Sequence, residues 1–260
     1  MPDVQGPLYR SNLARIHHEG YAQHAELCAP GILALLGPLR GGRILELGCG
    51  SGLLTRRLVD AGHTVFATDA SPAMLDLARV TAPGADICRL TMPDDPVPAA
   101  DAVVSIGHAM SYLPDEASVH RALVAAARAL RPGGILAIDL CDLEWGATRV
   151  DRPPEVRVTD DWVLTTRFSV PSPDRYLREM TTFVRDAAGN WHRDDETHVQ
   201  VNVDTARIPE LLANEGLTAE VRSSFGTTPD EELPVGLVAI VARRPTPGVN
   251  PTRDPGSRVG

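Results

Sequence analysis

Between residues 43 and 140 short apolar runs alternate with stretches of helical periodicity, and this alternation constrains the fold more than any other feature. RILEL (43–47), HTVFATD (63–69), ADICRL (85–90), DAVVSIG (101–107) and ILAIDL (135–140) read as strands rich in Ile, Val and Leu. Near-continuous apolar strands of this kind are buried on both faces, as in a parallel sheet covered by helices. Between them Leu53, Leu54, Leu58 and Val59 repeat at helix spacing until Gly62. SPAMLDLARV (71–80) opens on a Ser71 cap with Pro72 at the first helical position, where its missing N–H is not needed. SVHRALVAAARAL (118–130) is amphipathic and closes on RPGG. The order predicts a doubly wound α/β core.

The flanks follow other rules. Ile16, Ala22, Ala25, Ile32 and Leu36 place helix over 10–37, with Pro30 expected to divide it in two. WVLTTRFSV (162–170), REMTTFVRD (178–186) and ETHVQVNV (196–203) read as antiparallel strands, the last two joined by the turn AAGN (187–190). Helix is expected over 204–216 and strand over 217–225 and 236–244. The proline- and glycine-rich stretch 245–260 has little to bury and is expected to be a disordered tail.

Charge and cysteine usage exclude several classes. A net charge of −9, with arginines dispersed rather than gathered beside aromatics, disfavours nucleic acid as a partner. Cys28, Cys49, Cys88 and Cys141 are scattered without CxxC or zinc-type spacing, so no metal is expected and the thiols read as free or buried. No stretch reaches the roughly 18–20 apolar residues of a membrane span, and the first residues carry no targeting pattern. The expectation is a cytoplasmic protein without a membrane partner.

The segment richest in chemistry is Leu45-Glu46-Leu47-Gly48-Cys49-Gly50-Ser51-Gly52. A strand ends, glycines turn the chain, and a helix begins at the carboxyl edge of the sheet, where doubly wound folds bind nucleotides. Dinucleotide enzymes hold a diphosphate at such a turn, and the Glu46 carboxylate would repel it. A cationic ligand would be attracted instead. The glycine spacing also departs from GxGxxG, which weakens a nicotinamide oxidoreductase reading. Asp69 ends the next strand, where an acidic side chain accepts hydrogen bonds from ribose hydroxyls.

Glu46 to Gly52, Asp69-Ala70-Ser71-Pro72-Ala73-Met74-Leu75 and Leu130-Arg131-Pro132-Gly133-Gly134 together resemble the class I S-adenosylmethionine-dependent methyltransferases. The resemblance covers residues 40 to 142, and GLVAIVARRP resembles the last strand of that family. It implies a seven-stranded, mainly parallel sheet whose last strand is antiparallel, with S-adenosylmethionine as cofactor and S-adenosylhomocysteine as product. The glycine loop (Gly48, Cys49, Gly50, Gly52) with Glu46 would cradle the methionine part of the cofactor. Asp69 and Ala70 would hold the ribose, with Met74 near the adenine. Many relatives carry an acidic residue after the third strand; here Thr91 or the Met92 backbone would stand in its place. Residues 1–40 would form a helical lid, 41–142 and 204–244 the core, and 143–203 an antiparallel cover over the substrate that also shapes a dimer contact.

By topology Gly107, His108 and Tyr112, after the fourth strand, lie beside the transferred group. His108 and Tyr112 are candidates to bind or deprotonate an acceptor. His18 or Tyr21 from the lid would close the site, and His18 is a further candidate base. Arg178, Trp191 and His198 from the cover would meet the acceptor. These readings converge on transfer of a methyl group to O or N of a small molecule, in the manner of natural-product or amino-sugar methyltransferases. A cofactor-binding enzyme of the same fold that transfers no methyl group is the alternative.

Overall fold

A computed structural model of the protein describes residues 7–226 and 232–246. Two helices, α1 (Ser11–Gly20) and α2 (Gln23–Leu36), precede β1 (Arg43–Leu47), α3 (Leu53–Asp60), β2 (Thr64–Asp69), α4 (Pro72–Thr81) and β3 (Asp86–Arg89). There follow β4 (Ala100–Ser105), α5 (Glu116–Ala129), β5 (Leu130–Cys141) and a short α6 (Leu143–Ala147). An antiparallel group comes next: β6 (Glu155–Val158), β7 (Trp162–Ser172), β8 (Arg175–Arg185) and β9 (Trp191–Val201). α7 (Ile208–Ala213), β10 (Thr218–Arg222) and β11 (Leu237–Arg243) complete the fold.

The large sheet has seven strands in the order β10-β11-β5-β4-β1-β2-β3. β1 pairs in parallel with β2 and β4, whereas β11 runs antiparallel to both β5 and β10. Its core follows from the two-residue period of a strand. Ile44, Ala102, Val104, Ile135 and Ala137 point to one face, under Ile32 and Leu36 of α2 and Leu54 and Leu58 of α3. Leu45, Val103, Leu136 and Ile138 point to the other, under Val119, Leu123 and Ala126 of α5. Leu123 is fully buried, so truncation to alanine costs about 2–5 kcal/mol.

The second sheet, β6-β7-β8-β9, is antiparallel throughout. Trp162, Leu164, Met180 and Val184 pack on Leu13 and Ile16 of α1, joining this sheet to the first helix. A bidentate pair between Arg10 and Asp194 (2.9 and 2.6 Å) closes the edge of that contact. No helix among the described residues is long and apolar enough to cross a membrane.

Several expectations need correction. Pro30 does not divide the first helical stretch; it sits inside α2 on the exposed side, and the break falls at Gly20–Ala22. There Gly20 lies against the Trp162 ring so closely that a Cβ would come within 3.2 Å of it. β6, a short edge strand, was not legible as a strand. β5 begins at Leu130 rather than at Ile135, with a register shift against β4 between Ala100 and Ala102. Of the expected tail, residues 247–260 lie outside the described residues.

Candidate active site

The carboxyl ends of β1, β2 and β4 open into one cavity of about 1090 Å³, roofed by α1, α2 and the inner face of β7, β8 and β9. At one end lies the glycine loop. Gly48 and Gly50 both have positive φ, +70° and +54°. At Gly48 a Cβ would stand 2.3 Å from Ala109 Cβ, so only glycine fits. At Gly50 a Cβ would meet no protein atom within 4 Å, which leaves its backbone open to whatever fills the cavity.

Two carboxylates flank the loop. Glu46 is buried and accepts a hydrogen bond from Thr55 Oγ1 at 2.7 Å. Burial pushes its carboxyl up to about 8, with a further rise from the nearby Asp69 charge. No cation of the protein pairs with it among the described residues. Asp69 accepts from Gly50 N at 2.9 Å and Ser71 N at 2.8 Å, tying the glycine loop to the start of α4. Burial raises its pKa as well, against the pull of those N–H groups. Ser71 caps α4 by accepting from Met74 N at 3.2 Å. Cys49, Ala70, Met74, Thr91, Met92 and Asp94 continue the wall of this end. Thr91 N–H is taken by Asp95 Oδ2 at 2.7 Å.

The far end is built from separate elements. His108, in the left-handed region at φ +48°, receives the Gln200 amide on Nδ1 at 2.7 Å, which places its ring proton on Nε2. Burial, with the Arg178 charge, holds its pKa well below the usual histidine value, so His108 is a neutral donor. Tyr9 is the only other non-glycine residue with positive φ among the described residues, at +51°. Both line the cavity, and such backbone strain, about 1–2 kcal/mol each, is tolerated where surrounding contacts over-determine it. Tyr9 and Tyr112 hydroxyls lie 2.8 Å apart, and Arg178 reaches both. Burial keeps the Tyr112 phenol protonated, well above its usual range.

A third group joins the two ends. Asp139, fully buried near the end of β5, accepts from Gly107 N (2.8 Å), His108 N (2.6 Å) and His24 Nε2 (2.7 Å). Burial opposes charge on His24, but the bond to Asp139 and its negative charge outweigh it, and the pKa of His24 rises. His24 lines the cavity, and its Nδ1 has no protein partner among the described residues.

Of the residues singled out from sequence, Glu46, Gly48, Cys49, Gly50, Asp69, Ala70, Met74, Thr91, Met92, Gly107, His108, Tyr112, Tyr21 and Arg178 all line the cavity. Four do not. His18 bonds Ser51 Oγ through Nδ1 at 3.0 Å, tethering α1 to the glycine loop, and is not among the cavity-lining residues. Gly52 is the left-handed N-cap of α3, close to Ala78 of α4, and serves packing between helices. His198 is fully buried behind Arg178, its Nε2 bonded to Glu196 at 2.9 Å. Trp191 is 47% exposed at the far end of β9. It lies seven residues from His198, about 23 Å along the strand, on the opposite face. The residues missed were Tyr9, His24, Asp139 and Gln200. Only Asp139 carried a signal, as a lone carboxylate in an apolar strand like Glu46.

Residues 44–134 match the methyltransferase domain family. A Geobacillus sp. protein described as a methyltransferase is 25% identical over 191 residues, 70% of this chain and 77% of that one. Other curated relatives, 39% identical, are matched over about 40% of their length. Among solved structures, an S-adenosylmethionine-dependent methyltransferase from Clostridium acetobutylicum superposes with a TM-score of 0.75 at 16% identity, covering 89% of this chain and 97% of that chain. A sugar N-methyltransferase from Streptoalloteichus sp. gives 0.70 at 23% identity, covering 94% and 96%. Fold and site thus define a doubly wound core whose cavity has a glycine loop and two buried carboxyls at one end. Residues 44–134 carry a methyltransferase domain, in a fold shared with S-adenosylmethionine-dependent methyltransferases, and S-adenosylmethionine is the cofactor that this likeness implies.

The cavity residues fit that cofactor. Glu46 is an enclosed carboxylate without a cation, suited to the positively charged methionine end, and Asp69 is suited to the ribose hydroxyls. When bound, the cofactor supplies a methyl group already attached to a good leaving group, so positioning provides much of the rate.

Proposed function

We propose that this enzyme methylates an O or N atom of a small molecule held between the glycine loop and the second sheet. The observation that carries this reading is the size and continuity of the cavity. About 1090 Å³ exceeds the roughly 300–1,000 Å³ of a single small-molecule site, which leaves room for a cofactor and a modest acceptor under one roof. α1 and α2 act as a lid and β6–β9 as a cover that excludes water. Likeness to a sugar N-methyltransferase supports a small acceptor. A cytoplasmic homodimer, joined through the cover, belongs to the same proposal.

Within the site, His108 and Tyr112 orient the acceptor, and His24 is the proton acceptor. Asp139 fixes the His24 ring by its Nε2, so a proton from a hydroxyl or ammonium group is taken at Nδ1. The test is a panel of small amines, amino sugars, phenols and hydroxy acids assayed with labelled cofactor. S-adenosylhomocysteine formed in proportion to a methylated small product is expected. Methyl transfer to protein or nucleic acid, with none to any small molecule, would overturn the reading.

A further inference from the structure

The cover sheet places one cation at the acceptor end without a carboxylate partner among the described residues. Arg178, on β8, is half-buried and lines the cavity. Most other arginines among the described residues that reach a side-chain partner do so through a carboxylate, as Arg10 does with Asp194 and Arg128 with Glu215. Arg178 has no carboxylate within ion-pair distance among the described residues. Its contacts are Tyr112 Oη, Tyr9 Oη at 3.3 Å and His198 Nδ1 at 3.5 Å, all made by Nη2. Its Nε is buried without a partner, and Nη1 makes no hydrogen bond among the described residues.

The carboxylate behind His198 does not neutralise it. Glu196 is one imidazole ring away and already accepts from Tyr9 N (2.7 Å), Arg10 N (2.9 Å) and His198 Nε2 (2.9 Å). With its proton on Nε2, His198 turns a lone pair toward Arg178 and holds the guanidinium in place. The rest of this end offers donors: His108 through Nε2–H, and one phenolic hydrogen left over from the Tyr9–Tyr112 pair. A half-buried cation with a buried, unpartnered Nε, ringed by neutral donors, matches a group that is negative and rich in acceptor atoms.

We propose that Arg178 receives an oxyanion of the acceptor, a carboxylate or a phosphate, so that the substrate is an acid rather than a neutral amine or alcohol. This rests on the small-molecule reading above and narrows it. The cofactor's own carboxylate is the other source of the same chemistry. Arg178 is joined to Tyr112 after β4 and to the cover, whereas the glycine loop at the other end is flanked by the carboxyls of Glu46 and Asp69.

The test is calorimetric, on the full chain. Wild type, Arg178→Gln and Arg178→Lys are first titrated with S-adenosylhomocysteine. Each is then loaded with it and titrated with benzoate, its neutral analogue benzamide, and inorganic phosphate at fixed ionic strength. Saturable binding of benzoate or phosphate to wild type is expected, at least about tenfold weaker in Arg178→Gln and partly restored in Arg178→Lys, with benzamide binding no better than to the variant. Benzoate alone would identify the oxyanion as a carboxylate, and phosphate alone as a phosphate. Affinity for S-adenosylhomocysteine should stay within about twofold across all three proteins, and the thermal midpoint of Arg178→Gln should be unchanged or higher. Failure of both anions to bind wild type, or equal binding to Arg178→Gln, would overturn the proposal. So would a parallel loss of S-adenosylhomocysteine affinity in Arg178→Gln, which would assign the guanidinium to the cofactor's carboxylate. A wild-type protein that binds no S-adenosylhomocysteine would refute the underlying reading, and this one with it.

Discussion

The two ends of the cavity are opposite in charge and in construction. The cofactor end gathers Glu46 and Asp69 on consecutive parallel strands within one sheet edge, and burial lifts both carboxyls where no cation among the described residues meets them. The acceptor end gathers Arg178, His108, Tyr112 and Tyr9 from three separate segments, and there the unmatched charge is positive. Each end holds an ionisable group without a charged partner among the described residues, which a bound molecule can satisfy. A site arranged this way separates the recognition of its two ligands by sign, so each half can be broken without the other.

The largest effect is expected at Asp69. Asp69→Ala removes the ribose acceptor and orphans the N–H groups of Gly50 and Ser71. Losing two charge-assisted hydrogen bonds, about 3 kcal/mol, lowers S-adenosylmethionine affinity about 100-fold or more by calorimetry. Anion binding at the far end should persist in the variant at saturating S-adenosylhomocysteine; joint loss would show that the ends are not independent.

His24 belongs to the junction. His24→Gln should lower kcat roughly 100-fold with any acceptor that must lose a proton, leaving cofactor affinity within about twofold. Because the pKa of His24 is raised by Asp139, the wild-type rate should climb with pH through a value above the usual 6.5. An unchanged pH profile in the variant would remove His24 from the chemistry.

Glu46 sharpens the comparison through linkage. Its carboxyl titrates near 8 in the free protein, and a cationic ligand favours the charged form. Cofactor binding should therefore release protons near pH 7 and strengthen as pH rises toward 9. Glu46→Gln should flatten that dependence and cost about tenfold at pH 9, an effect of roughly 1.5 kcal/mol. Titrations in buffers of different ionisation heat would count the protons. Proton uptake instead of release would contradict the assignment.

The smallest effect is the control. Trp191→Ala, at the exposed end of the cover, should change neither cofactor affinity nor anion binding by more than about twofold. A large loss would mean that the cover reaches the site by a route other than Arg178 and Gln200.

Strand and helix alternation, the glycine loop, Glu46 and Asp69 were readable in the chain because each depends on local order. A parallel strand buried on both faces must be apolar along its length, so a carboxylate inside it stands out. A turn at a strand end needs positive φ, so glycine marks it. The same logic would have found Asp139, an acidic residue in ILAIDL. Nothing local marks Tyr9 or His24, whose roles depend on where α1 and α2 fold back over the sheet. Nor could local order separate His17 from its neighbour: His17 lines the cavity, while His18 turns to Ser51. In the cover, the alternating pattern predicted strands but not which end of each lies over the cavity, so Arg178 and Trp191 were equivalent on paper. Residue order by itself determined the doubly wound core and its cofactor edge, because burial and backbone geometry act over a few neighbouring residues. Only the tertiary structure decided the acceptor end, because its charge and donors come together across chain separations as large as the 187 residues between Tyr9 and Glu196.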